Sequence, residues 1–597
     1  MSSSETYGGD LATFSIKVAG SAIPDVYQVH AIHIEKRLNK ISVATLTILD
    51  GDAAKEGFPV SSADVLVPGS DISISAGYEN KNSVIFEGVI TQQRLRVDNS
   101  VGSALEIECK DKAVKMTVGR KSGSFSKMTD SDVMSKLIGN ASGVTANVTA
   151  TSATLPELVQ YYTTDWDFVL ARAEVNGMVV STLNGKLSVF KPEASTDSVL
   201  TITYGQNLYA FQADLNSVTQ LAEVKASAWD YKTQKLVNGQ ASNSLAGPGN
   251  LSSKKLSDVV GLSEYELQTT AAIESDGLTN WAKAQMLKSE LAKIQGEVRI
   301  QGSDLVDPGV YITLAGLGTR FNGDHLVSSV THDISEGNWF SEIEIGLSHD
   351  WFIAEPDVVS PTAAGLLPGV QGLFNATVKK INDDPDSEYR ILIDLPLFNS
   401  NDEGQWARLS NFYSTSGAGA FFLPEVGDEV VVGFLNDDPR YPIILGSLYS
   451  SKNKPYSDLT PNEKNSHKAI VTKSELRVVF DDENSVLTIT TSKDNVITLS
   501  DQDKQISIKD QNSNSIVMSD SGITMKSPNS INIEADQNLT LKGNTGVTIQ
   551  SSGGDVAIKG MNVQATGDME FSAKGNMTAS VQGGTQLTLK GAMVMIN

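Results

Sequence analysis

From Leu487 to Ile596 the chain repeats one short pattern: an apolar residue, a spacer, a second apolar residue. This ladder limits what the chain can fold into more than any other feature. The pairs are Leu487/Ile489, Ile497/Leu499, Ile506/Ile508, Ile516/Met518, Ile523/Met525, Ile531/Ile533, Leu539/Leu541, Val547/Ile549 and Val556/Ile558. They continue as Met561/Val563, Met569/Phe571, Met577/Ala579, Leu587/Leu589 and Val594/Ile596. The step is eight residues from Ile523 to Ile531, Leu539 and Val547, and eight again from Met561 to Met569 and Met577. A fixed period means one structural unit copied along an axis, and such a unit cannot bury its apolar face alone.

Eight residues give a strand of about five residues, roughly 17 Å long, and one turn. A single-chain solenoid needs about 18 or more residues to go round its cross-section. An eight-residue step covers about a third of a circuit, so three identical chains would close a triangular prism. The two apolar residues of each pair then point inward and the spacer faces water, because alternate strand side chains share a face. The expected interior is Ile531, Ile533, Leu539, Leu541, Val547, Ile549, Val556, Ile558, Leu587 and Leu589. After Phe480 the only aromatic residue is Phe571, which suits a narrow interior. Gly543, Gly560 and Gly591 are expected to supply positive φ at corners. The lesser alternatives are a monomeric solenoid and polar disorder.

At 597 residues the chain is too long for one core. Its formal charge is −24, from 47 basic and 71 acidic residues, and no dense Lys/Arg run is present. Nucleic-acid binding is therefore not expected, since it needs a clustered positive field. Cys109 is the single cysteine, which leaves no internal disulfide and no cysteine-based zinc cluster. The N-terminus lacks the basic start and apolar stretch of a signal peptide, and no window approaches 18 apolar residues. Cytoplasmic synthesis is expected, with any export depending on another machine.

The fold class is mainly β with some α. Residues 1–355 form a mixed α/β block: six alternating segments between 12 and 118, then three helices and returning strands. Asp130 or Asp132 is the expected cap of the first helix, with Gly139 near its end. Thr164 or Asp165 caps the second, which has Trp166, Val169, Leu170 and Ala173 on one face and Gly177 at its stop. The third runs from about Ser275 to Ile294, with Trp281, Ala284, Leu287, Leu291 and Ile294 on a face. Residues 235–275, rich in Ser, Gly and Asn, are expected to be partly mobile. Residues 356–372 read as a linker. Five short strands in 373–450 suit an OB-type barrel. Residues 451–485 form a polar connector, and 486–597 the intertwined triple-stranded β-helix of a homotrimer.

No HExxH, GxSxG, P-loop or GxGxxG pattern occurs, so no catalytic residue, metal ligand or cofactor is expected. His30 and His33 are badly spaced for one strand face, and a half-exposed strand is the plainer reading. His325 and His332 read as packing or hydrogen-bonding residues. Asp383/Asp384, Asp437/Asp438 and Asp481/Asp482 read as solvated turn carboxylates. Cys109 reads as a small core hydrophobe.

Several segments resemble one family: DKAVKMTVGRKS (111–122), TTDWDFVLARAEVNGM (163–178), GSDLVDPGVYITLAGL (302–317) and FNGDHLVSSVTH (321–332). FFLPEVGDEVVVGFLNDDPRYPIILGSLY (421–449) is the strongest of them. In this order they resemble VgrG, the spike of contractile injection systems, which looks like a fusion of phage-tail hub and needle proteins. That resemblance implies a phage-hub-like 1–355 of two β-barrel-like subdomains with helices, and a trimer seated on an Hcp-like inner tube and baseplate. It implies sheath contraction driving the needle through a target envelope, with possible effector cargo. It also implies a PAAR-type tip protein docking on Val594, Met595, Ile596 and Asn597. Phage needles of this kind can carry a lysozyme domain between barrel and helix; about 30 polar residues leave no room for one. The last pair lies beside Asn597, so no effector domain is expected after the helix. The segments NKISVATLTILDGD, PGSDISISAGYE and IFEGVI resemble spikes of extracellular, phage-tail-like particles, whose proteins are released or ejected; type VI secretion is the alternative. A peptidoglycan-degrading tail lysin and a trimeric receptor-binding fibre are the rival functions.

Overall fold

The computed structural model describes residues 11–98, 102–192, 197–243, 247–355, 358–398 and 403–596, in two units, Met1–Ser447 and Leu448–Asn597. In the first unit, alternating segments become strands wherever one face can be buried. The segment Val43–Leu49 alternates partly exposed with buried residues, and Ala44, Leu46 and Ile48 enter the core. VIFEGVI and QRLRV lie in one long strand, Lys81–Asp98, whose register shifts between Ile90 and Gln92. Gln28–Arg37 lies between Val43–Leu49 and Gly323–Ser335, pairing Ile34 with Ala44 and with His332. That pairing joins strands from residues 12–110 with strands from residues 200–345 in one thirteen-stranded sheet.

Helix α1 (Asp130–Gly139) is capped by Thr129, not by Asp130 or Asp132. The Thr129 side chain accepts from the Asp132 N–H, while the Asp132 carboxylate accepts from the Thr129 N–H, a reciprocal capping box. Asp130 is instead buried against Arg172 of helix α2 (Asp165–Val175). Thr164 caps α2; Trp166, Val169, Leu170 and Ala173 are buried, and Gly177 follows with φ of 65°. The segment expected to be mobile is largely ordered: Lys235–Ser242 and Tyr265–Thr269 flank Glu223–Asp230, with the short helix α3 (Ser253–Ser257) between them. Gly239 shows why. A Cβ there would collide with the Thr279 backbone, so glycine lets the strand lie close against helix α4 (Ser275–Leu291). Helix α4 ends before Ile294, which opens the next strand, and buries Leu278, Ala282 and Met286 besides Ala284.

Residues 374–447 form a closed five-stranded barrel, and the rings of Phe374, Phe398 and Phe434 pack 5.6 Å apart at its core edge. The end of the linker is pinned to it, the Val370 N–H donating to the Asp437 carbonyl at 2.7 Å.

In the second unit, the connector is not merely polar. It supplies His467–Val471 and Arg477–Asp481, which start a seven-stranded antiparallel meander ending at Gly522–Lys526. The first five apolar pairs of the ladder therefore bond to one another within one chain, through two- to five-residue turns. From residue 527 to 596 no strand forms within the chain. Gly543, Gly560 and Gly591 do not adopt positive φ; what they provide is the missing Cβ, as shown below.

Candidate assembly surfaces

The register of the meander sorts its side chains by face. Ile470 pairs with Val478, Val478 with Ile489 and Phe480 with Leu487. Ile489 pairs with Ile497, Leu487 with Leu499, Ile497 with Ile508, and Leu499 with Ile506. Ile506 and Ile508 face Met518 and Ile516, which face Ile523 and Met525. Directly paired residues share a face, so thirteen apolar side chains line one side of the sheet, and none of them is buried. The other side carries Thr and Ser spacers together with the half-buried Val471, Val479, Val486, Val496 and Val517. Ser507, a spacer expected to face water, is buried there with Thr490 and Ser500, because small side chains are covered by their neighbours in the sheet. Ser500 Oγ donates to Asp503 Oδ2 at 2.9 Å.

Beyond Lys526 every expected interior residue, from Ile531 to Leu589, is exposed in the single chain, as are Val594, Met595 and Ile596. Asn597 lies outside the described residues. Soluble proteins rarely expose a continuous apolar surface of this length without a partner. A second uncovered cluster lies on the barrel. The hairpin Ser414–Thr415 with Ala418–Gly419 carries Phe412, Tyr413, Phe421 and Phe422 at its base, all exposed. Sequence reading missed this cluster, although the doublets FY and FF flanking a Gly/Ser turn marked it.

The ionisable residues of the hub take structural posts. His33 Nδ1 lies 2.6 Å from Asp333 Oδ1, and this hydrogen bond raises the imidazole above its ordinary value. His325 is buried with Nε2 2.7 Å from the Phe321 carbonyl, and burial lowers its pKa. His332 is wholly buried beside Ser341 Oγ (3.0 Å) and Trp339 Nε1 (3.4 Å); burial drives its pKa well down. Cys109 packs in the core, where burial pushes the thiol up to about 12. Two of the turn carboxylates are more than solvated: Asp384 is clasped by Arg390 and Asp438 by Arg440, and each guanidinium lowers its partner's pKa. Asp481 accepts from Asn484, and Asp482 pairs with Lys468. His467 lies 3.7 Å from Asp481 and His349 3.6 Å from Asp350. A cleft of about 550 Å³ contains Lys288 Nζ 2.6 Å from Glu174 Oε1; that carboxylate also accepts the Phe352 N–H, which ties α2 and α4 to the hub's exit segment. No group of three or more His, Cys, Asp or Glu placed to hold a metal occurs among the described residues. No described helix is long and apolar enough to cross a membrane.

Two family models match the chain. The Alg8 N-terminal domain model matches residues 8–336, more than half of the chain. The chain belongs to the Alg8 N-terminal-domain family. In this Alg8-type chain the closed barrel matches, over residues 374–449, the type VI secretion system/phage-baseplate injector OB domain. The chain is 36% identical over 95 residues to the actin cross-linking toxin VgrG1 of Vibrio cholerae (15% of this chain, 9% of that protein). It is 33% identical over 107 residues to the type VI secretion system spike protein VgrG3 of Vibrio cholerae (17% and 10%). The alignments thus span about a tenth of the length of these curated relatives. Among solved structures, an Escherichia coli type VI secretion component described as similar to the phage T4 tail proteins gp27 and gp5 has a TM-score of 0.38 at 14% identity. It covers 73% of this chain and all of that one. The chain thus joins an Alg8 N-terminal domain to an injector OB barrel, and over short stretches it is similar to VgrG proteins.

Proposed function

We propose that three copies of this chain form the spike of a contractile injection system. In this reading the hubs make a base on an Hcp-like tube and baseplate, the barrels a collar, and the C-termini one needle that sheath contraction drives through a target envelope. The observation that carries this reading is the uncovered apolar surface: thirteen side chains on one sheet face, continued by seventy residues of ladder with no strand partner inside the chain. Two further copies would supply both the missing cover and the missing backbone partners, and closure would leave no free strand edge. Breaking such a needle means breaking many inter-chain bonds together, which suits a load-bearing shaft.

The role is mechanical rather than catalytic, and Val594, Met595 and Ile596 form the seat for a PAAR-type tip protein. Cargo, if carried, travels with that tip. The resemblance of NKISVATLTILDGD and its neighbouring segments favours a released, phage-tail-like particle over a membrane-anchored type VI machine. Native mass spectrometry of the full chain tests the assembly: a trimer that survives SDS without heating is expected, and a monomer overturns the proposal. Incubation with purified peptidoglycan should release no fragments; cleavage would favour a tail lysin. Sedimentation of intact particles from culture supernatant separates the two particle types.

A further inference from the structure

The ladder between Val556 and Ile596 can be read in two registers, and the structure discriminates between them. Spacing alone suggests the inward pairs Met561/Val563, Met569/Phe571 and Met577/Ala579. The turns say otherwise. A Cβ on Gly543, Gly567, Gly575 or Gly583 would collide with the carbonyl oxygen of Gly546, Glu570, Thr578 or Gln586 respectively. A Cβ on Gly560 or Gly591 would lie 3.2 Å from the carbonyl oxygen of Asn562 or Met593. After the first of these turns comes Val547, an unambiguous first position of its pair. Gly567, Gly575 and Gly583 repeat that contact to the carbonyl three residues on, and Gly560 and Gly591 make a tighter turn to the carbonyl two residues on; in each case the contacted residue stands just before a first position. The first positions are then Val563, Phe571, Ala579, Leu587 and Val594. The third positions are two residues further on, at Ala565, Ala573, Val581, Leu589 and Ile596.

Exposure agrees. Val563, Phe571 and Leu587 are 61%, 68% and 52% exposed in the single chain, whereas Met561, Met569 and Met577 are 99%, 100% and 98% exposed. Volume agrees too. Three copies of Phe571 at one level of a narrow prism need small neighbours, and this register surrounds them with Ala565, Ala573 and Ala579. The other register stacks three Met569 against three Phe571 with no small residue between, and interiors tolerate such overpacking poorly.

Resting on the needle reading above, we propose that the copies of this chain meet on Val563/Ala565, Phe571/Ala573 and Ala579/Val581. Met561, Met569 and Met577 then stand at the outer corners of the prism, at positions filled elsewhere by Asn529, Gln537 and Thr545. The interface is a phenylalanine layer cushioned by alanines, with a row of three methionines per chain facing the surroundings.

Full-length Met569→Lys, Ala573→Phe and Leu541→Asp variants, run unheated in SDS, test this. Met569→Lys should keep the trimer band, and Ala573→Phe should lose it. Any other combination of those two results overturns the register. Leu541 lies inward in both registers, so a trimer that survives Leu541→Asp overturns the needle reading itself. As a second measurement, mild peroxide should oxidise all three methionines of the intact wild-type trimer without dissociating it; protection of Met569 overturns the assignment.

Discussion

Asp130 is buried between α1 and α2, with Arg172 Nε 2.7 Å from Oδ1, Arg172 Nη2 2.9 Å from Oδ2, and Asn176 Nδ2 donating at 2.9 Å. Removing one partner of such a pair leaves a desolvated charge. Arg172→Ala should therefore cost about 3–5 kcal/mol of hub stability, read by denaturant unfolding. A loss under about 1 kcal/mol would mean that Asp130 is hydrated in solution. His332 adds a pH dependence. Burial lowers its folded-state pKa, so the unfolded chain takes up the proton first, and stability falls as pH drops below the ordinary imidazole value of 6.5. His325 acts in the same direction. His33, raised by Asp333, acts in the opposite one: its contribution is complete below 6.5 and is lost as pH rises through its folded value. The hub's melting temperature should fall from pH 7 to pH 5, and His332→Asn should flatten that fall; an unchanged slope would assign the acid sensitivity elsewhere. Part of this was legible beforehand, since His325 and His332 read from sequence as packing or hydrogen-bonding residues and are buried and hydrogen-bonded. Sequence did not show that Arg172, 42 residues on, would clasp Asp130, or that His332 would sit opposite Ile34 in the sheet.

The meander Leu487–Met525 and its two leading strands illustrate what an element can and cannot encode. Alternation revealed each strand and which side chains share a face. It did not reveal that these strands pair with one another, because an apolar-x-apolar triplet looks the same whether its partner is the next strand or another chain. The turns decide: short loops such as 501–504 and 510–514 return the chain antiparallel to itself. Since the sheet is bonded internally but uncovered on one side, Ile508→Asp should leave its strand content intact by circular dichroism while weakening trimer formation by native mass spectrometry. Loss of strand signal in that variant would show that the face folds only after it is covered.

At the scale of the whole molecule, residues 527–596 form no strand within the chain and leave their apolar side chains exposed, so the proposed needle would draw its stability from neighbouring copies. Leu541→Asp would place three carboxylates at one level of a dry interior, where unpaired charge is prohibitive. The variant should lose SDS resistance and become protease-sensitive from about residue 527 onward, while the hub melts as in wild type. A digest matching wild type would place Leu541 on the outside. The sequence by itself determined the eight-residue ladder, the helix faces and the barrel's five strands, because local periodicity is written in neighbouring residues. The tertiary structure alone decided three things: the pairing of Gln28–Arg37 with a strand 300 residues later, the in-chain pairing of the first ladder strands, and the geometry of the glycine turns on which the proposed methionine-out register rests. Each depends on which backbone groups meet, and a repeat of apolar residues specifies a buried face without specifying what buries it.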